Sequence, residues 1–598
     1  MADGKVVRIG GGSGFWGDTS LGPAQLFAQD NLDYVVLDYL AEVTMSILAK
    51  AKAKAPEAGY ALDFVTEVMR PHIHAIAEKK IRIVTNAGGL NPAACRRALE
   101  RLAAETGVEL KIGLVLGDDL NPRFAGLRNG LREIDSGMEA PEAVLSANAY
   151  LGAFPIARAL DLGADIVITG RCVDSALALG PLIHEFGWRE TDYDRLAAGS
   201  LVGHLIECGA QASGGNFTDW ESVADGWENA GFPICEVSGD GAFVITKPEG
   251  TGGAVTPLTA AEQMIYEIGD PARYLLPDVV CDFGSVRMET AGPNRVRVSG
   301  ARGSAPTTYL KACATYADGY SCVGAFAVAG ENAVAKARRH GEAVLARTAG
   351  MLAQRQLPPF TATNVAIVGE EALFGDADPA SVASRREAVL RLAVQHPSIK
   401  GADLFSREFV GSALTMAPGV TLLSPGRPKA SPVVRLYSFL IEKAAVAVDV
   451  EVGVKTIPAP WAECVATHAA LSVAQAPPRL PDGERFSVPL RRLAVARGGD
   501  KGDKANIGVV ARKPEYLPWI RAQLTPERVA ERFASVNRGR VERFDLPGVD
   551  GLNFLLHNAL GGGGAASIHL DAQAKTYAQA LLDALIPVSA EIARAALA

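Results

Sequence analysis

Over the first 230 residues, short apolar runs alternate with stretches of helical spacing. Residues 5–10, 81–86, 111–117 and 164–170 read as strands, and residues 92–106 and 155–162 as helices between them. Strands that alternate with helices predict a mostly parallel, doubly wound sheet. Ligands of such sheets sit beyond the carboxyl ends of the strands. Past residue 230 the pattern changes. Residues 235–247 and 281–303 alternate around Gly-Asp-Gly and Gly-Pro-Asn turns and read as hairpins. Residues 322–330 and 360–369 read as strands, 331–352 and 378–396 as helices, and 433–454 as strand again. The proline-rich residues 473–488 read as a linker. After it come a strand at 492–497, an apolar run at 507–510 and helical patterns at 517–536 and 571–585, which suit an α+β sandwich.

The expected architecture is therefore α/β. A mostly parallel, doubly wound N-terminal lobe (residues 1–230) is followed by a mixed α/β second lobe (231–472), the linker (473–488) and a small α+β domain (489–598).

The stretch Gly203-His204-Leu205-Ile206-Glu207-Cys208-Gly209-Ala210-Gln211 carries the densest chemistry. Wound as a helix, it puts His204, Glu207, Cys208 and Gln211 on one face. A solvated face is usually written with Lys, Glu and Arg, so a proton carrier, a carboxyl, a thiol and an amide together point to a site. The bland alternative is a satisfied structural His–Glu pair. Gly214, Gly215 and Asn216 follow, and can bring backbone N–H groups close to a ligand.

Composition sets the bounds. A chain of 598 residues is too long for one core. Its net charge of −8 argues against nucleic-acid and anionic-membrane partners. No run of about 18 apolar residues predicts a membrane span, and no secretory core opens the sequence. The eight cysteines show no metal-like pairing and read as free thiols of a cytoplasmic protein. A homo-oligomer is expected.

The strand ends supply further candidates. Gly12, Gly14 and Gly17 match a G-x-G-x-x-G spacing, and Asp38 lies about 20 residues on, as a dinucleotide site would place it. The helix, however, is expected to start near Pro23, so Gly12 and Gly14 read better as a turn that admits a phosphate or carboxylate. Asn86 precedes Gly88 and Gly89, which resemble an anion-accepting loop, with Asn91 as helix cap before Pro92. Arg171 reads as a carboxylate or phosphate clamp oriented by Asp174. Residues 497–506 mix cations and carboxylates among glycines. They bind an anion through Lys501 and Lys504, or form a salt-bridged turn. His72 and His74 diverge on a helix and are set aside as metal ligands. Asp18, Asp118 and Asp174 leave a metal-dependent lyase as a subsidiary possibility; no metal site is assigned.

Gly10-Gly11-Gly12-Ser13-Gly14, Asn86-Ala87-Gly88-Gly89-Leu90-Asn91-Pro92, Thr169-Gly170-Arg171-Cys172-Val173-Asp174 and the 203–209 stretch together resemble the acyclic terpene utilisation (AtuA) family over residues 5–460. Arg497-Gly498-Gly499-Asp500-Lys501-Gly502-Asp503 resembles that family's ferredoxin-like C-terminal domain. The resemblance implies catabolism of branched isoprenoid acids, such as citronellate and geranylate, as coenzyme A thioesters. The expected reaction is proton transfer next to a thioester carbonyl, in a lyase or hydratase of a 3-hydroxy-3-alkylglutaryl-CoA-type intermediate. No cofactor is required beyond the coenzyme A of the substrate. In this reading His204 is general base or acid, oriented by Glu207, and Cys208 is a second acid or a nucleophile. Gln211, Asn86 and the Gly214 and Gly215 amides stabilise an enolate, and Arg171 holds a distal carboxylate. The alternatives are a non-catalytic acyl-CoA binding or assembly protein and a nicotinamide-dependent oxidoreductase.

Overall fold

The computed structural model describes residues 4–375, 379–461 and 480–597, so residues 473–479 of the expected linker and Cys464 lie outside it. Five parallel strands form the centre of the largest sheet. These are β1 (Val6–Ser13), β2 (Tyr34–Leu37), β3 (Arg82–Thr85), β4 (Ile112–Leu116) and, inserted between β3 and β4, the strand Ile166–Thr169. Both faces are buried, as parallel strands require. Val36, Val84, Val115 and Val167 enter one hydrophobic cluster, and Val35, Leu37, Ile83, Leu114 and Ile168 enter the other.

This sheet does not stop at residue 230. The hairpin Ile234–Ser238 and Phe243–Thr246 adds antiparallel to β1, and the hairpin Arg287–Gly292 and Arg295–Ser299 extends that edge. Asp449–Val452 and Lys455–Pro458 close the other edge beside β4, giving eleven strands in all. Both expected hairpins are present. An antiparallel strand occupies the far side of β1, so the order does not reverse about β1 in parallel fashion, as it does in a dinucleotide-binding sheet.

The second sheet is built on one long strand, Tyr309–Ala329. Its first half pairs with Ser431–Glu442 and with Ser146–Ala149, a strand from the N-terminal part. Its second half pairs with Glu387–His396 and Val420–Leu422. Residues 387–396 are thus a strand where a helix over 378–396 is expected (Asp378 itself lies outside the described residues). Leu390, Leu392 and Val394 alternate into a core with Phe326, Phe405 and Phe409, although residues 388–394, an apolar run interrupted only by Arg391, are short enough to fit a helical period as well.

The C-terminal unit is a four-stranded antiparallel sheet in the order Ala494–Lys501, Lys504–Ala511, Gly551–Leu556, Val541–Leu546, with helices packed on it. The helix expected over 517–536 is two, Leu517–Gln523 and Pro526–Arg532. Pro526 cannot continue the first, and the Thr525 hydroxyl caps the second. The helix expected over 571–585 is only Tyr577–Leu582, because Leu585 starts a strand that pairs with Phe486–Pro489, the end of the expected linker.

Candidate active site

The site is assembled where the helix Tyr193–Ile206 ends against the carboxyl ends of the parallel strands. Glycines bring these elements together. A Cβ on Gly203 would lie 2.5 Å from the Ser175 backbone, one on Gly14 would lie 3.0 Å from the Glu207 carbonyl, and one on Gly11 would collide with the Ile206 carbonyl oxygen. The glycine run expected to admit a phosphate is therefore packed: Gly12 lies inside β1 against Leu37 and Val35, and Gly14, just past the strand, lies against Glu207 and Cys208. Its function is to let the helix end approach. Gly11→Ala is expected to cost about 1–3 kcal/mol, the usual penalty for overpacking, with a matching fall in denaturation midpoint. A wild-type midpoint would contradict the packing.

The helix stops at Ile206, and Gly209–Ser213 is a separate 3-10 turn, so the expected four-residue face is broken. His204 and Glu207 remain paired, Nδ1 to Oε1 at 2.9 Å, while Nε2 donates to the Met264 carbonyl at 3.0 Å. His204 is 1% exposed, and the Glu207 side chain is 12% exposed. With both ring nitrogens engaged and no access to solvent, the imidazole has no nitrogen free for a substrate. Glu207 is the member of the pair that faces outward, and its Oε2 accepts no hydrogen bond among the described residues. Burial opposes the charge on His204, but the Glu207 carboxylate and the Met264 carbonyl outweigh it and raise its pKa. Burial also raises Glu207. Both partners on the ring are acceptors, so the pair holds one shared proton in addition to the one on Nε2.

Cys208 and Gln211 do other things. Burial, followed by the nearby Glu207 and Glu267 carboxylates, pushes the Cys208 thiol well up, which leaves little thiolate for nucleophilic attack. The Gln211 side-chain carbonyl accepts from Arg497 of the C-terminal unit at 2.7 Å. The Gly214 and Gly215 amides donate to the Gln211 and Ala210 carbonyls instead of pointing at a ligand. Asn216 is exposed, with a positive φ of 55°.

The strand ends supply a charged floor. Asn86 donates to Asp38 at 2.6 Å and accepts the Tyr39 N–H at 2.8 Å, so its amide is spent on holding Asp38. Burial, together with Asp174, raises Asp38 well above an ordinary carboxyl. Arg171 is buried, donates to Asp174 at 2.5 Å and stacks on the Tyr150 ring at 4.3 Å. Its own N–H is held by Asp118 at 2.8 Å, whose carboxyl burial pushes up to about 7. Tyr150 also donates to Glu42 at 2.5 Å, and Lys311 lies 3.3 Å from the same carboxylate. Lys311 and Arg171 overcome the burial of Glu42 and hold it well below the usual carboxylate range. A cavity of about 10 Å³ lies between Glu42, Asn148, Tyr150, Arg171 and Thr315, the space of about one water.

The third wall is Tyr274, Glu267 and the tip of the hairpin formed by Ala494–Lys501 and Lys504–Ala511. Tyr274 packs on His204 with ring centres 5.9 Å apart. Lys501, at the hairpin tip, is exposed to solvent; burial opposes its charge, but the electrostatic influence of Tyr274, Glu267, Asp174 and Glu42 outweighs it and raises its pKa. The hairpin's base is fixed by Arg497, which reaches Glu262 at 2.8 Å and the Gly215 carbonyl at 2.9 Å. Asn506 holds the Glu267 N–H and the Ile265 carbonyl at 2.9 and 2.7 Å.

Other expected ligand groups turn out to be structural. The amides of Gly89, Leu90 and Asn91 donate to Asn86, Gly59 and Gly88 carbonyls, and a Cβ on Gly88 would meet Pro92, so this loop has no anion cradle. Asn91 caps the helix Pro92–Thr106 as expected. Lys504 pairs with Asp135 at 2.5 Å. Asp18 receives the Gly14 and Thr19 amides, and no group of three or more metal-ligating side chains occurs among the described residues. Glu42, Tyr150, Glu267, Tyr274 and Lys311 are the residues the sequence pattern missed. Only Glu42, in the first turn after β2, carried a local signal.

The sequence model of a family described as "Acyclic terpene utilisation family protein AtuA" matches residues 7–452. A second, described as "AtuA ferredoxin-like domain", matches residues 488–587. No curated protein and no solved structure matches the chain significantly. Among the described residues no helix is long and apolar enough to cross a membrane.

Proposed function

We propose, from the premise that this chain belongs to the acyclic terpene utilisation family AtuA, that it is an enzyme that moves a proton next to the carbonyl of a branched acyl-CoA thioester. The family places the chain in acyclic terpene utilisation. The thioester, and the lyase or hydro-lyase outcome, are the chemistry that such a cleft would serve. The observation that carries the reading is the sealed His204 holding one oxygen of Glu207, while the other oxygen accepts no hydrogen bond among the described residues and the side chain keeps 12% exposure.

In this scheme Glu207 takes the proton from the carbon next to the carbonyl. The C–H electron pair becomes a C=C bond, and the carbonyl pair moves to oxygen. The enolate then re-forms the carbonyl as the C3–O bond breaks, and the 3-hydroxyl leaves as water with the proton from Glu207. When the reaction is a C–C cleavage, Glu207 instead takes the 3-hydroxyl proton. The C2–C3 bond breaks to give a ketone and a thioester enolate, and that enolate collects the proton from Glu207. His204 keeps Glu207 oriented and answers its change of charge, so it is a positioning residue. Arg171, whose guanidinium is fixed by Asp174 and Tyr150, receives a distal carboxylate. A nicotinamide reaction has less support, because Gly12 lies inside β1 and is packed, Gly14 is packed against the Glu207 and Cys208 backbone, and an antiparallel strand flanks β1.

The test is mass spectrometry of the full chain with a panel of branched acyl-CoA esters in deuterium oxide. Uptake of deuterium next to the carbonyl, or product formation, is the expected result. Tight binding with neither would leave a carrier of thioesters. With a substrate in hand, Arg171→Lys is expected to raise KM by about tenfold or more for esters with a distal carboxylate, the effect of losing a charged hydrogen bond. Esters without that carboxylate should be unchanged, and equal losses on both would remove the clamp.

A further inference from the structure

We infer that Asn506 and Asn553 of the C-terminal domain are positioning residues of the dyad, holding the end of the helix Pro257–Met264 so that the Met264 carbonyl stays on His204. This rests on the proton-transfer reading above and names what keeps its proton-carrying pair in place. His204 can orient Glu207 only while its other ring nitrogen is fixed, and the partner of that nitrogen is a main-chain oxygen from another helix.

One face of the C-terminal sheet is written for this contact. In register, Arg497 pairs with Gly508, Gly499 with Asn506, and Gly508 in turn with Asn553, so these five positions share a face. The opposite face, with Ile507, Val509, Leu552 and Phe554, packs into the domain's own core. The two glycines admit the helix end. A Cβ on Gly508 would lie 2.4 Å from the Ile265 side chain, and one on Gly499 would lie 2.7 Å from the Tyr266 ring. The two asparagines are 1% and 0% exposed. A buried amide is costly unless it is paired, and both are paired with the backbone of residues 265–269.

That backbone needs holding, because a helix end leaves carbonyls without intrahelical partners. Ile265 follows the last helical residue, and its carbonyl accepts from Asn506 Nδ2 at 2.7 Å. Two residues on, the Glu267 N–H donates to Asn506 Oδ1 at 2.9 Å. Glu267 has a φ of 56°, a left-handed conformation that a glutamate adopts only at a cost. Asn506 therefore closes around a strained turn. Its Nδ2 also donates to Asn553 Oδ1 at 2.9 Å, and Asn553 Nδ2 donates to the Ile268 and Gly269 carbonyls at 2.8 and 2.6 Å. The Met264 carbonyl stands one residue before this clamp. Next to it, Gln263 Nε2 donates to the carbonyl of His204 itself at 3.1 Å. The imidazole and its own peptide are thus both tied to a segment that the C-terminal sheet holds.

The experiment compares Asn506→Ala, Asn553→Ser and Arg512→Gln in the full chain. Arg512 bridges the same two parts by donating twice to Asp219, at 2.5 and 2.6 Å, and makes no hydrogen bond to residues 262–269 among the described residues. The 15N-histidine resonance of His204 is identified by its loss in His204→Gln. In Asn506→Ala it should titrate at lower pH, because the Met264 carbonyl that helps to keep the ring charged is no longer fixed; Glu207 and Lys501, which also act on the ring, are the same in every variant. In that variant kcat for deuterium exchange should fall by up to about 10²-fold, the cost of a misplacement of about 1 Å, with KM little changed. Asn553→Ser should show both changes in smaller measure. Arg512→Gln should lower the denaturation midpoint and leave kcat and the titration as in wild type. A wild-type titration and kcat in folded Asn506→Ala would overturn the proposal, and so would equal changes in Arg512→Gln. If Asn506→Ala does not fold, Asn553→Ser decides by the same two readings. No exchange by the wild-type chain on any ester would remove the proton-transfer reading, and the His204 titration would then decide the role of the asparagines alone.

Discussion

Replacing Glu207 by glutamine is expected to lower turnover by about 10² to 10⁴, the usual contribution of a positioned proton-transfer group. The amide is nearly isosteric, so the fold should persist while the base is lost. His204→Ala is expected to lower turnover too, but by a different route. It leaves the Met264 carbonyl and a buried Glu207 oxygen without their partner, so it should also destabilise the chain by about 1–3 kcal/mol. The two variants thus separate catalysis from support. Both His204 and Glu207 have raised folded-state pKa values. The stability that each provides is fully present below its unfolded value and is lost as pH rises through its folded value. Stability should therefore decline as pH climbs through that window, and more gently in Glu207→Gln. A Glu207→Gln enzyme with near-normal deuterium exchange would end the assignment.

The second large effect is expected at the buried ion pair between Arg497 and Glu262, which are 4% and 0% exposed. Arg497→Met leaves Glu262 buried without its counter-charge, and breaking such a pair costs about 3–5 kcal/mol. The substitution also frees Gln211 and the Gly215 carbonyl, so the C-terminal unit should become susceptible to proteolysis at its contact with residues 262–269. The double variant Arg497→Met, Glu262→Met should recover most of the loss, because apolar replacement of both partners removes the stranded charge. Chemical denaturation of the two variants decides this. A single variant within about 1 kcal/mol of wild type would mean that Glu262 simply takes up a proton.

The parallel strands, the two hairpins and the capped helix at Pro92 were legible because each rests on a local pattern. The strand at 387–396 was misread because a short apolar run fits either period. The site was half legible. His204, Glu207, Arg171 and Asp174 stood out by residue type, yet which of the first two faces the substrate depends on Met264, sixty residues further on. No local rule places a main-chain carbonyl against a ring. The glycines misled for the same reason. Gly12 and Gly88 looked like ligand cradles, whereas the structure uses them for close approach of its own elements. The label "ferredoxin-like" describes shape only, since residues 480–598 contain no cysteine that could ligate an iron–sulfur cluster.

The strand Ser146–Ala149 leaves its own neighbourhood to pair with Tyr309–Ala329, while Asp449–Val452 returns to flank β4. The polypeptide is therefore laced through itself, and scissors at residue 230 would free two pieces that each lack strands the other owns. Neither half could be grown, purified and assayed on its own terms.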